Sequence, residues 1–237
     1  MARESGLRGA DDPVKTTKLI AGFSIVLLAA LSAQAQGTFY NLNFESANVS
    51  GYSPGNFVPI SKALPGWSAY FSSGTTTYPQ TEVVYDGIST GGNVISLVDS
   101  QAATPIQGNY SAYLFGGEDL SASISQTGVI PARTQSLTME AWEFECSPIV
   151  AINGQPINMI PLETISFYTV YGGSIPSFDV GPSVTLSFTA PPGGPSMFEL
   201  DDITFSTNAP TPEPSIIALT AIGGLFFGAR KWFARHR

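Results

Sequence analysis

Between residues 36 and 209, the side chains able to do chemistry are almost all carboxylates and aromatics. Glu140, Glu143 and Glu145 crowd one apolar stretch, and Asp201-Asp202 interrupts another. Glycoside hydrolysis needs two carboxyl groups about 5–9 Å apart across a cleft. Glu143 and Glu145, two apart on a strand, would stand about 7 Å apart on one face. Trp142, Phe144 and Cys146 alternate with them, however, which is the pattern of a half-exposed strand, so the reading here is non-enzymatic. The only histidine, His236, lies in a basic C-terminal run, which removes imidazole catalysis from the middle of the chain. Cys146 is the only cysteine and is expected as a small buried residue at a strand end. Gly91-Gly92 and Gly116-Gly117 precede no helical pattern, so no phosphate loop is read.

Binding chemistry is better represented. Sugar rings pack their C–H faces on aromatic side chains while fixed polar groups meet their hydroxyls. Trp67, Tyr70, Phe71 and Tyr78 fall in a Ser/Thr/Gly-rich stretch. Trp67, after Pro65-Gly66, is expected in the core, and Tyr70 and Tyr78 are the candidate glycan platform. Tyr85, Tyr113 and Trp142 follow strand positions and are expected to serve packing.

Charge narrows the partners. Charged residues make up 12% of the chain, about half the usual share of a soluble domain. Residues 36–209 hold two basic residues, Lys62 and Arg133, against fourteen acids, a formal charge of −12. Such a surface repels phosphate backbones, so nucleic acid is excluded as a partner. Cations and sugars remain.

The two ends have a different character. Lys15 and Lys18 precede an apolar run over residues 19–30, followed by Ala33-Gln34-Ala35. A basic region, a short hydrophobic region and a small-x-small site make a secretory signal read by signal peptidase, with cleavage after Ala35. The polar stretch before Val14 is unnecessary to a signal, and Val14 is the expected true start. At the other end Pro212-Glu213-Pro214 leads into an apolar run over residues 215–229 and then Arg230-Lys231-Trp232-Phe233-Ala234-Arg235-His236-Arg237. As a helix the run reaches about 22 Å, short of the roughly 30 Å bilayer core, and the terminal cations keep it on the cytoplasmic side. This order resembles the PEP-CTERM sorting signal of Gram-negative bacteria. The resemblance implies recognition of Pro212, Glu213 and Pro214 by an exosortase, a transient stay in the inner membrane, and release to the cell surface or extracellular matrix. The organisation read is a signal peptide at 1–35, one mature domain at 36–209 and a sorting tail at 210–237.

In the mature domain, short apolar runs at 81–85, 93–98, 110–115, 121–126, 136–146, 163–171, 183–190 and 196–206 are punctuated by Gly, Pro, Asn and Ser. Such spacing indicates an all-β fold, a sandwich or barrel, with helices only in the signal and the tail. Residues 185–190 alternate cleanly. In 136–146 the phase passes from Leu137 and Met139 to Trp142 and Phe144, and a bulge is expected near Ala141. Residues 163–171 are apolar on both faces, as in a central or loop-covered strand. Phe198 and Leu200 fall on one face and Ile203 and Phe205 on the other, so Asp201-Asp202 is a candidate bulge or ligand site.

Five segments in order, Asn41-Leu42-Asn43-Phe44-Glu45, Leu64-Pro65-Gly66-Trp67, Gly108-Asn109-Tyr110-Ser111-Ala112-Tyr113-Leu114, Ser123-Ile124-Ser125-Gln126-Thr127 and Leu200-Asp201-Asp202-Ile203-Thr204-Phe205, are similar to the galactose-binding-like jelly rolls. That family includes many bacterial carbohydrate-binding modules. The resemblance implies a β-sandwich (jelly roll) whose first and last strands are neighbours. It also implies a structural calcium ion (Ca2+) held by Glu45 and Asp202, with Asp201 as a further ligand. The function expected is that of an exported surface or matrix protein associated with exopolysaccharide, binding glycans without catalysis. The alternatives are a structural or adhesive surface protein that binds no glycan, and a glycoside hydrolase.

Overall fold

A computed structural model describes residues 38–88 and 92–211. The signal segment with Ala33, Ala35 and the start at Val14 lies outside the described residues, as do Pro212, Glu213 and Pro214. Among the described residues no helix is long and apolar enough to cross a membrane.

The strands are β1 (Phe57–Pro59), β2 (Ser68–Ser73), β3 (Thr76–Gln80), β4 (Glu82–Tyr85), β5 (Val94–Val98), β6 (Ser111–Phe115) and β7 (Ser121–Val129). They continue with β8 (Ser136–Phe144), β9 (Ile149–Ile152), β10 (Gln155–Pro156), β11 (Met159–Ile165), β12 (Tyr168–Ser174), β13 (Ser183–Ala190) and β14 (Met197–Ser206). One helical turn, α1 (Ile60–Ala63), joins β1 to β2. The strands form an eight-stranded sheet, β1-β4-β5-β6-β14-β8-β12-β11, and a six-stranded sheet, β10-β9-β13-β7-β2-β3. The fold is an all-β sandwich.

Its core lies between the sheets. Val184, Leu186, Phe188 and Ala190 alternate inward from β13, as their spacing predicts, and meet Leu137, Met139 and Ala141 of β8. Trp67 is buried, with ring centroids 5.6 Å from Phe44 and 5.9 Å from Phe188, and its indole N–H donates to the Asn41 carbonyl at 3.0 Å. Burial of each such ring contributes about 1.5–3 kcal/mol. Cys146 packs against this core and its thiol donates to the Met197 carbonyl at 3.4 Å. Burial and then the nearby Glu143 push the thiol up to about 11, which leaves it unreactive.

The phase slip falls in β14. Asp201 pairs with Glu140 and Thr204 with Thr138, so Asp202 and Ile203 together stand opposite Met139. Asp202 takes a φ of +40°. This bulge lets Phe198, Leu200, Ile203 and Phe205 all reach the core although their spacing would divide them between faces. The bulge expected near Ala141 is therefore absent from β8 itself. Leu137, Met139 and Ala141 keep one phase inward, while Trp142 takes the outer face.

Two further readings are corrected. Residues 163–171 are no central strand but the two arms and turn of the β11–β12 hairpin at a sheet edge. Ile165 pairs with Tyr168, leaving a two-residue turn in which Ser166 has φ +55°. Joining two arms of opposite direction is what made the stretch look apolar on both faces. Residues 41–45, the first segment of the jelly-roll likeness, are a succession of turns and not a strand, with Asn41 at φ +54° and Phe44 at φ +57°. The segment still lies against the last strand, since the Leu42 carbonyl accepts the Ile203 N–H at 3.0 Å, the donor at the bulge.

Pro59, Pro79, Pro156 and Pro161 sit in β1, β3, β10 and β11, the four outermost strands of the two sheets. Among the described strands, no inner one contains a proline.

Candidate functional site

Because side chains alternate along a strand, the inward packing of Phe198, Leu200 and Ala141 turns their neighbours outward. Glu199 is the cross-strand partner of Tyr113 on one side and of Trp142 on the other. A row Tyr113–Glu199–Trp142 thus runs across β6, β14 and β8 on the outer face of the larger sheet. Met197, flanked by Phe115 and Phe144, forms the next row, and Asp201 with Glu140 the row beyond. Val94, Val98, Tyr113 and Phe115 are buried here as a second apolar cluster, with Val84, Trp142 and Met197 packed against it.

Residues 99–110 cross this face and are tied down by carboxylates. Asp201 is 1% exposed. Its Oδ2 accepts the Gln107 N–H at 3.1 Å and the Ser111 hydroxyl at 3.0 Å, and its Oδ1 accepts the Asp202 N–H at 2.7 Å. The Gln107 side-chain amide donates to both oxygens of Glu140, at 2.8 and 2.9 Å. Glu45 holds the same loop from the chain's beginning, accepting the N–H groups of Asn109 at 2.7 Å and Tyr110 at 3.0 Å and the Asn109 side-chain amide at 2.8 Å. Gly108, at φ +59°, allows that approach, for a Cβ there would stand 2.3 Å from Glu45 Oε1. Partial burial raises the Glu45 carboxyl, yet the Asn109 and Tyr110 donors leave it below its ordinary value. Burial pushes Asp201 up to about 7 against the pull of its own donors.

Beside the loop opens a cleft of about 290 Å³, bordered by Ile88, Ala103, Thr104, Tyr113, Trp142, Phe167, Met197 and Glu199. Phe167, in the β11–β12 turn, is 44% exposed and packs edge-on to Tyr168 at 5.6 Å. The Tyr113 hydroxyl donates to the sulfur of Met197 at 3.0 Å. Glu199 is 4% exposed, and among the described residues its buried Oε1 has no hydrogen-bond partner. Burial pushes its carboxyl up to about 7. Chemically this is an aromatic slot with a single acid beneath it, built to take an apolar ring face and one polar group.

The expected site residues divide. Glu45, Asp201 and Asp202 do share a cavity, of about 160 Å³, with Asn43, Gln107 and Gly108. Among the described residues no three acidic, histidine or cysteine side chains converge as a ready-made metal cluster. Among the described residues Glu45 Oε2 and Asp201 Oδ1 each hold a single hydrogen bond and keep a lone pair. The oxygen chemistry therefore fits calcium, provided the ion draws these groups together. Tyr70 and Tyr78 lie away from the cleft, on the β2–β3 hairpin of the other sheet. Tyr70 pairs with Pro79 and Tyr78 with Phe71, so the two rings point to opposite faces and cannot form one platform. Of the three clustered glutamates, Glu140 is outward, Glu143 turns inward to accept the Tyr171 hydroxyl, and Glu145 lies past the end of β8. Trp142, Tyr113 and Glu199 were the residues that sequence reasoning assigned to packing or to bulk charge. Reading β8 and β14 in a constant phase up to the Asp201 slip marks Trp142 and Glu199 as outward-facing, while their meeting across the sheet depends on strand pairing.

No protein-family model matches the chain, and no curated protein matches it. Among solved structures it is similar to the enzymatically active domain of tailspike protein 4 of bacteriophage CBA120, at 10% identity and a TM-score of 0.40, over 72% of this chain and 21% of that one. The chain thus spans about a fifth of that structure's length. It is also similar to a family 11 carbohydrate-binding module from Clostridium thermocellum in complex with a β-1,3-1,4-mixed-linked tetrasaccharide, at 10% identity and a TM-score of 0.32, over 68% of this chain and 99% of that one.

Proposed function

We propose that this is an exported bacterial surface or matrix protein whose β-sandwich binds exopolysaccharide without catalysis, in the aromatic cleft on the outer face of the larger sheet. The observation that carries the reading is the row Tyr113–Glu199–Trp142 with Phe167 above it, an apolar slot over one buried acid. Among the described residues Glu199 is the only acid bordering the cleft, where hydrolysis would need two flanking the bond. Export rests on the sequence: the signal ending at Ala35 for signal peptidase, and the Pro212-Glu213-Pro214 tail for an exosortase.

Retention of the full chain on a panel of immobilised polysaccharides tests the binding. Stacking on an aromatic ring contributes about 0.5–1.5 kcal/mol beyond area burial, and the indole supplies much of the cleft wall. Trp142→Ala should therefore weaken binding at least about tenfold. If wild type and variant are retained equally, or neither is retained at millimolar glycan while folded, the structural or adhesive reading takes its place.

The same proposal includes a structural calcium between Glu45 and Asp202, supported by their shared cavity. A hundredfold excess over Kd would add about 2.7 kcal/mol, several degrees in melting temperature. Melting should rise more with calcium than with equal magnesium, and Asp202→Asn should erase the difference. Equal melting in chelator, calcium and magnesium would remove the ion from the account.

A further inference from the structure

The acid beneath the cleft restricts what can lie on it. A buried carboxylate with an unpartnered oxygen is costly unless a donor or positive charge meets it. Among the described residues no such charge borders the cleft. Between residues 36 and 209 only Lys62 and Arg133 are basic, and neither borders the cleft. Lys62 lies over the Tyr52 ring at 5.2 Å and donates to its hydroxyl at 3.3 Å. The counter-charge must come from a solvent proton, a metal ion or the ligand.

The cleft walls decide between the last two. Trp142, Phe167, Met197 and Ile88 supply no hard oxygen ligands, so a lone carboxylate among them is a poor metal site. The same walls suit an organic cation, because aromatic faces attract ammonium groups and also cover the C–H face of a ring. A formal charge of −12 over residues 36–209 draws cations in and repels uronic acids and sulfated sugars.

Building on the glycan reading of this cleft, we propose that its preferred ligand is a polysaccharide bearing free amino sugars, whose ammonium group pairs with Glu199 while the sugar ring lies on Trp142. A neutral hexose offers Oε1 only a hydroxyl, and N-acetylation removes the charge. Glu199 is then the specificity-determining residue and Trp142 the general platform.

Three tetrasaccharides of the same β-1,4 linkage, built from glucosamine, N-acetylglucosamine and glucose, separate these roles. Each is titrated into the full chain at pH 7 in 0.15 M salt and read by tryptophan fluorescence and calorimetry. The glucosamine tetramer should bind at least tenfold tighter than the other two. Glu199→Gln, nearly isosteric, should cut that preference below threefold, whereas Trp142→Ala should weaken all three. Glu118→Gln, away from the cleft, controls for diffuse attraction to the acidic surface and should keep the full preference. Neutral and amino tetramers binding alike, or a preference that survives Glu199→Gln, overturns this inference and leaves glycan binding standing. Absence of binding by all three, with wild-type melting retained, overturns both.

Discussion

Asp201→Ala is expected to lower the unfolding free energy by about 3–5 kcal/mol, more than an ordinary surface change can do. The carboxylate is 1% exposed and accepts from the Gln107 N–H, the Asp202 N–H and the Ser111 hydroxyl. Truncation leaves these donors without a partner where water cannot easily replace it, at about 1–3 kcal/mol each in isolation and less than additively together. It also frees residues 99–110 from the sheet they cross, so the Gln107 amide should exchange with solvent far faster than in wild type. Asp202→Asn, one residue on and exposed, should move stability by no more than about 0.5 kcal/mol in the absence of calcium. Urea denaturation of the two variants decides the matter. A loss below about 1 kcal/mol for Asp201→Ala would show that the loop does not depend on this carboxylate.

The second large effect concerns pH. Glu199 titrates near 4.5 when unfolded and is pushed up to about 7 by burial in the folded protein. The folded state therefore holds the proton more tightly, and the stability this confers is fully present below about pH 4.5. It is lost as pH rises through 7, which amounts to about 3 kcal/mol. Glu199→Gln has no proton to lose. Its stability relative to wild type should rise with pH across this window and level off above about pH 8. Asp201 shifts in the same direction but is present in both proteins, so the difference between the two urea series isolates Glu199. Parallel stability curves from pH 4.5 to 8 would mean the carboxyl is solvated in the folded state.

Much of the sandwich can be read from the chain because a half-buried strand writes its burial as alternation. Ser183–Ala190 is the clearest case, and the slip at Asp201-Asp202 was visible as a change of phase. Strands β2 and β3 escaped because Ser68–Ser73 and Thr76–Gln80 are polar or exposed along much of their length, as positions next to and at a sheet edge permit. The β11–β12 turn escaped because Ser166-Phe167 contains none of the Gly, Asn or Asp that usually mark a positive φ. The cleft was illegible for a different reason. Trp142 and Glu199 are far apart in sequence and meet only through the pairing of β8 with β14, which no local pattern encodes. The Glu45 contact with residues 109 and 110 is equally non-local. Its residue was singled out through family likeness, which carries tertiary information that periodicity lacks.

The prolines on the four outermost strands bear on how such molecules behave at close quarters. An open sheet margin is a template on which another chain can lay its own backbone, the first step of fibre growth. Proline has no N–H to offer that growing ladder, and its ring obstructs an approaching strand. Here each margin of both sheets is interrupted this way. Copies at high concentration would therefore remain separate beads, unable to zip together through these margins. Cohesion among them would have to come from side-chain contacts or a bound ligand and not from shared backbone pairing.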